Sequence, residues 1–121
     1  MTIYTKARRP DSFIRVHLVD VNAIGPGKAD LLEAIAETGS IAAASRRTNI
    51  SYRRCWDLVR SLNASFRDPL VEAAKGGSKG GGAHLTAAGR EVLVLYRRME
   101  STAAGAIAAD LALFRKLIRD R

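Results

Sequence analysis

Residues 39–63 read GSIAAASRRTNISYRRCWDLVRSLN. Two short helical patterns flank Thr48-Asn49-Ile50, and arginines crowd the start of the second pattern. Ser40 is placed to cap the first helix, which runs to about Arg47, and Ser51 the second, because a serine oxygen accepts from an unpaired first-turn amide. Asn49 suits the left-handed backbone of a tight turn, and Ile50 points inward from it. Small residues, Ala44 and Ser45, sit where two helices pass closely, and Cys55 and Leu58 fall on the inner side of the second. This is the spacing of a helix-turn-helix whose second helix enters a DNA major groove.

The apolar face of that second helix reads Tyr52, Cys55, Trp56, Val59, Leu62 and Phe66, separated by threes and fours, which turns Arg53, Arg54, Asp57 and Arg60 outward. Arg67, Asp68 and Pro69 end the helix. Upstream, Ser12 to Val21 alternates and is rich in β-branched residues, so it predicts one strand. Gly25-Pro26-Gly27 breaks it, and Leu31, Leu32, Ile35 and Ala36 define a helix over 28–38 with Gly39 as its stop. Downstream, Leu70 to Ala74 and His84-Leu85 read as the strands of a hairpin over 70–85. The glycine-rich run between them, with Lys75 and Lys79, forms its basic tip.

Thr86 caps a last helix predicted over 86–119, with Val92, Leu95, Tyr96, Met99, Ala103, Ala106, Leu113 and Leu117 in register. A helix of more than about 30 residues spans roughly 45–50 Å, longer than one small domain covers. Its surplus apolar face therefore predicts a homodimer through Val92, Tyr96, Met99, Ala103, Ala106, Leu113 and Leu117. Two helices broken near Gly105 and folded back on the domain are the alternative. The fold class is α+β, a single winged helix-turn-helix domain over 1–121 with the helix-turn-helix at 40–66.

Composition agrees. The chain has 121 residues, 47% of them hydrophobic, which suits one folded domain. A formal net charge of +8 and a pI near 10.4 point to a polyanionic partner. Between Ser40 and Gly82 eight cations face three anions, whereas the first 39 residues carry five of each. The positive surplus thus begins with the helix-turn-helix. One cysteine, Cys55, excludes an internal disulfide and fits a reducing cytoplasm. Arg15, His17 and Asp20 interrupt any signal-peptide core, and no apolar run reaches the roughly 20 residues of a membrane span.

Double-stranded DNA is the partner this pattern selects. Ser51, Tyr52, Arg53 and Arg54 occupy the end of the recognition helix that reaches base edges, with Arg53 and Arg54 suited to guanine or to phosphate. Asp57, four residues after Arg53, pairs with it or accepts from cytosine. Ser40, Arg46 and Arg47 complete the candidate surface on the preceding helix, and Lys75 and Lys79 bind phosphate or enter a minor groove. The glycine run fits neither nucleotide-loop spacing. Cys55 falls on an inward face, Trp56 anchors the core, and His17 and His84 lack partners at ligand spacing, so no metal, cofactor or catalytic group is expected.

Gly39-Ser40-Ile41, Ile50-Ser51-Tyr52, Trp56-Asp57, Asn63, Leu70-Val71-Glu72, the Gly76 to Ala83 run with Lys79, Leu85-Thr86, Gly89 and Tyr96 together resemble the N-terminal DNA-binding domain of ModE-type molybdate-responsive regulators. More loosely they resemble LysR-type winged helices. The resemblance covers roughly residues 28–100. It implies a prokaryotic homodimeric transcription regulator linked to molybdenum metabolism, with Ser51, Tyr52, Arg53 and Arg54 facing an inverted-repeat operator. Such regulators continue into molybdate-binding β-barrel domains. This chain stops at Arg121, so molybdate is not expected to bind the chain itself. An architectural DNA-binding protein, or a module that recruits a separate effector-binding subunit, are the rival readings.

Overall fold

The computed structural model describes residues 16–18, 21–74 and 82–120. Phe13, Ile14, Lys75, Lys79 and most of the glycine run lie outside them. Where one strand over 12–21 was expected, there are two: β1 (Val16–Leu18) and β2 (Val21–Ile24), antiparallel, with Leu18 opposite Val21 and His17 opposite Asn22. A run of β-branched residues suits either side of a hairpin equally, so its alternation did not reveal the reversal.

α1 (Pro26–Thr38) starts two residues before its predicted beginning. Gly25 is its cap and Pro26 its first residue, where a fixed φ and a missing N–H do no harm. Gly39 ends it at φ 73°, its amide donating to the Ile35 carbonyl at 2.8 Å. α2 (Ile41–Thr48) begins with Ser40 Oγ accepting from the Ala43 amide at 2.9 Å. It stops at Asn49, whose φ of 60° is the left-handed turn expected of asparagine. Ser45 Oγ then donates to the Ile50 carbonyl at 2.6 Å, fastening the turn to α2.

α3 (Tyr52–Ser65) is capped by Ser51, whose Oγ accepts from the Arg54 amide at 3.1 Å. Cys55, Leu58, Val59 and Leu62 are its buried face, with Trp56 and Phe66 partly buried against the core. Tyr52 departs from the expected inner face and is 54% exposed. At the first helical position it lies beyond the edge of the core, so the helical period alone placed it wrongly. Leu31, Leu32 and Ile35 of α1, Leu62 of α3, Leu70 and Tyr96 form the centre of the core, each fully buried.

β3 (Val71–Ala73) and β4 (Ala83–Leu85) pair antiparallel, Val71 opposite Leu85. Asn63 ties this hairpin to the end of α3: its Oδ1 accepts from the Leu70 and Val71 amides at 2.8 and 3.1 Å, and its Nδ2 donates to the Val71 carbonyl at 3.1 Å. The Ala83 amide donates to the Gly39 carbonyl at 2.9 Å, joining the hairpin to the α1–α2 corner as well.

α4 (Ala87–Leu117) is one continuous helix of 31 residues, passing unbroken through Gly105. Thr86 Oγ1 caps it by accepting from the Gly89 amide at 3.0 Å. Its buried residues are Gly89, Tyr96 and Glu100, so the last four turns or so extend past the core. Tyr96, expected on a dimer surface, is fully buried. Burial and the neighbouring charge of Glu100 push its phenol up to about 12. Beside it Arg97 reaches Asp30 and Glu33 of α1 and Glu100 of α4, each at 3.1 Å, and clamps α4 to α1. Asp30 and Glu100 are almost wholly buried, and Glu100 Oε2 has no hydrogen-bond partner among the described residues.

Candidate nucleic-acid interface

The outer side of α3 is set by what its inner side buries. With Cys55, Leu58, Val59 and Leu62 turned to the core, the 3.6-residue period carries Arg53, Asp57 and Arg60 to the outermost line of the helix. All three are exposed, as is Arg54 on the flank of this line. Arg60 was seen in the sequence to point outward but was not counted among the site residues. Its guanidinium Nη2 donates to Asp57 Oδ1 at 2.6 Å. The expected Arg53–Asp57 pairing is therefore replaced by Asp57–Arg60. The sequence held the signal, since an acid placed before its base along a helix agrees with the macrodipole and the reverse order does not.

Tyr52 stands at the exposed start of α3, its ring edge-on to Trp56 with centroids 6.3 Å apart and planes at 81°. That contact holds an aromatic surface next to the arginines. Ser40 and Ser51 each accept one helix amide, so both are structural caps wherever their hydroxyl hydrogens point. On α2, Arg46 is exposed. Arg47 is tied back to Glu37 of α1 at 2.7 Å and is only 27% exposed in its side chain. The two arginines thus differ in how freely they can reach a partner.

On the hairpin, Glu72 and His84 share the outward face and meet at 3.0 Å. Lys75 and Lys79 lie outside the described residues. The hairpin base is fixed by Asn63, by Thr86 Oγ1 donating to the Pro69 carbonyl at 2.7 Å, and by the Thr86 amide on the Leu70 carbonyl at 3.0 Å. Asn63 had entered the sequence reading only through resemblance. Its place three residues after the last outward arginine of α3 gives no physical hint of bonds to residues seven and eight positions on.

The large exposed apolar residues of α4 are Val94, Leu95, Met99, Ile107, Leu113, Phe114 and Leu117, with Ile118 at its C-cap. Met99, Ala106, Leu113 and Leu117 from the predicted dimer set are exposed, Val92 and Ala103 are half-buried, and Tyr96 belongs to the core. Leu95, Met99, Ala106, Leu113 and Leu117 fall within one narrow stripe of the helix.

Burial pushes the Cys55 thiol up, away from the reactive thiolate, and its Sγ is held near the Ile50 carbonyl at 3.8 Å. Among the described residues no three His, Cys, Asp or Glu side chains are grouped to hold a metal ion. No described helix is long and apolar enough to cross a membrane.

Residues 28–90 match the model of the bacterial regulatory helix-turn-helix proteins of the lysR family. The chain is 46% identical over 77 residues to the molybdenum-pterin-binding protein MopA of Rhodobacter capsulatus, covering 64% of this chain and 29% of MopA. It is 41% identical over 71 residues to the DNA-binding transcriptional dual regulator ModE of Escherichia coli K12, covering 59% of this chain and 27% of that protein. The match thus spans less than a third of these relatives. Among solved structures, the CbnR DNA-binding domain in complex with DNA superposes with a TM-score of 0.56 at 28% identity, covering 71% of this chain and 93% of that one.

Proposed function

The chain belongs to the lysR family of bacterial regulatory helix-turn-helix proteins, and from that membership we propose that it reads a specific double-stranded DNA sequence as a homodimeric transcription regulator. One observation carries the reading. α3 is capped by Ser51 and backed by the core, and it holds Arg53, Arg54 and Arg60 outward, in the stretch where the chain's positive surplus begins. An arginine on such a face grips guanine bidentately or neutralises phosphate.

In this reading Ser51, Tyr52, Arg53 and Arg54 meet base edges and neighbouring phosphates. Arg46 and, after release from Glu37, Arg47 contact the backbone, as do Ser40 and the hairpin's Lys75 and Lys79. The α4 stripe of Leu95, Met99, Ala106, Leu113 and Leu117, flanked by Val92 and Ala103, joins two copies. An exposed apolar row of that length on a helix outrunning its own core is what a second helix covers. A two-fold pair places the recognition helices about 34 Å apart, so the operator is an inverted repeat. The protein works in the cytoplasm and catalyses no reaction. The name of MopA, a molybdenum-pterin-binding protein, supports a link to molybdenum, with molybdate sensed elsewhere than on these residues.

Fluorescence anisotropy with a labelled operator and a scrambled duplex, across a salt series, tests the proposal. A specific regulator keeps a preference of about 10³-fold or more at moderate salt. Equal affinity for both duplexes identifies an architectural DNA-binding protein instead.

A further inference from the structure

An acidic side chain lies in the middle of the row that faces DNA. Asp57 is flanked along α3 by Arg53 and Arg60, and a carboxylate there repels phosphate and weakens every protein–DNA complex alike. Its ion pair with Arg60 does not offset this through stability, because both side chains are largely exposed, at 47% and 67%, and exposed pairs contribute little to folding. What the pair does is fix a direction. A single N–H of Arg60 is spent on Asp57 Oδ1 at 2.6 Å, which leaves four donors of the planar fork and biases the side chain toward one direction.

We propose that Arg60 is a second base-reading residue of α3, directed at a guanine, and that Asp57 is its positioning residue. The assignment rests on the reading of α3 as a recognition helix. Arg60 follows Arg53 by two helical turns, about 10.5 Å along the axis at 1.5 Å per residue. That is close to three steps of about 3.4 Å along one strand. Arg53 and Arg60 therefore address base pairs roughly three apart. A guanidinium directed by a carboxylate presents its remaining N–H groups to the guanine O6 and N7, the commonest specific contact of an arginine in the major groove.

The test uses the full chain and an operator in which guanines are replaced one at a time by 7-deazaguanine, which lacks the N7 acceptor. Wild type loses roughly tenfold in affinity at the guanine read by Arg60. Arg60→Ala and Arg60→Lys lose nothing further there while keeping the sensitivity assigned to Arg53. Asp57→Asn gives a split that a purely structural role does not: binding to random DNA strengthens, and the ratio of operator to random binding falls. Circular dichroism confirms that each variant stays folded, as expected where the Arg60–Asp57 bond lies on an exposed face.

An Arg60→Ala protein that weakens on all DNA equally and retains the wild-type 7-deazaguanine pattern overturns the assignment of Arg60 alone. Asp57→Asn losing discrimination at a cytosine, with every guanine unchanged, overturns it by making the carboxylate the reader. A wild-type protein that discriminates no sequence overturns the parent reading as well.

Discussion

Replacing Gly89 with alanine looks stabilising from the sequence, because alanine in a helix is favoured over glycine by about 1 kcal/mol. The structure reverses the sign. A Cβ at residue 89 would stand 2.1 Å from the Leu70 carbonyl oxygen and 3.0 Å from its carbon. The obstacle is backbone, and it is pinned from the other side: Leu70 N donates to Asn63 Oδ1, and Leu70 O accepts from the Thr86 amide. Relief requires α4 to move off the hairpin base. Overpacking of this kind costs about 1–3 kcal/mol, and loss of the Thr86 bond adds about 1. Set against the propensity gain, Gly89→Ala loses about 1–3 kcal/mol, a fall in Tm of roughly 5–15 °C for a chain of this size. Gly105→Ala is the internal control, with nothing within 4 Å of its Cβ, and gains up to about 1 kcal/mol. Urea unfolding followed by circular dichroism measures both. A Gly89→Ala protein as stable as wild type would refute the close approach on which the placement of α4 rests.

Tyr96 predicts an alkaline transition. Its phenol is raised to about 12 in the folded chain, above the ordinary 10, so its contribution is full below pH 10 and disappears between pH 10 and 12. At 1.36 kcal/mol per unit that is on the order of 2–3 kcal/mol, read from urea midpoints against pH and absent in Tyr96→Phe. Arg97→Met leaves Asp30 and Glu100 buried without their cation and costs about 3–5 kcal/mol in the same assay. Asn63→Ala strands two amides and a carbonyl at the hairpin base, costs about 2–3 kcal/mol, and speeds amide exchange in β3 before it does so in α1. In DNA titrations, Lys79→Ala lowers the salt slope by about 1 for every sequence, while Arg53→Ala relaxes preference at one position by about 1–3 kcal/mol.

Local chemistry made the reading head legible. Ser40, Asn49, Ser51 and Thr86 each do what a cap or a left-handed turn requires of that residue type, so the boundaries of α2 and α3 and the start of α4 followed from sequence. Pro26 reads as part of a break because proline ends most patterns, yet at a first helical position it begins one. Elements settled by tertiary contact were harder. Tyr96 sits in register with Met99 and Ala103 and differs from them only in facing α1, which no periodicity reports. Arg97, Asp30, Glu33 and Glu100 are ordinary surface residues by type, separated by up to 70 positions, and only the crossing of α1 and α4 brings them together. At the candidate interface, the outward set of α3 was visible from its buried set. The choice of Arg60 over Arg53 as the partner of Asp57 turned on the order of acid and base along one helix.

The central claim is that α3, presented twice by a paired α4, reads sequence. Selection of bound duplexes from a random DNA pool by the full chain, with and without molybdate, tests it most directly. An enriched inverted repeat with half-site centres about 34 Å apart, identical in both arms, is the expected result. A pool that emerges unenriched after repeated rounds would contradict it.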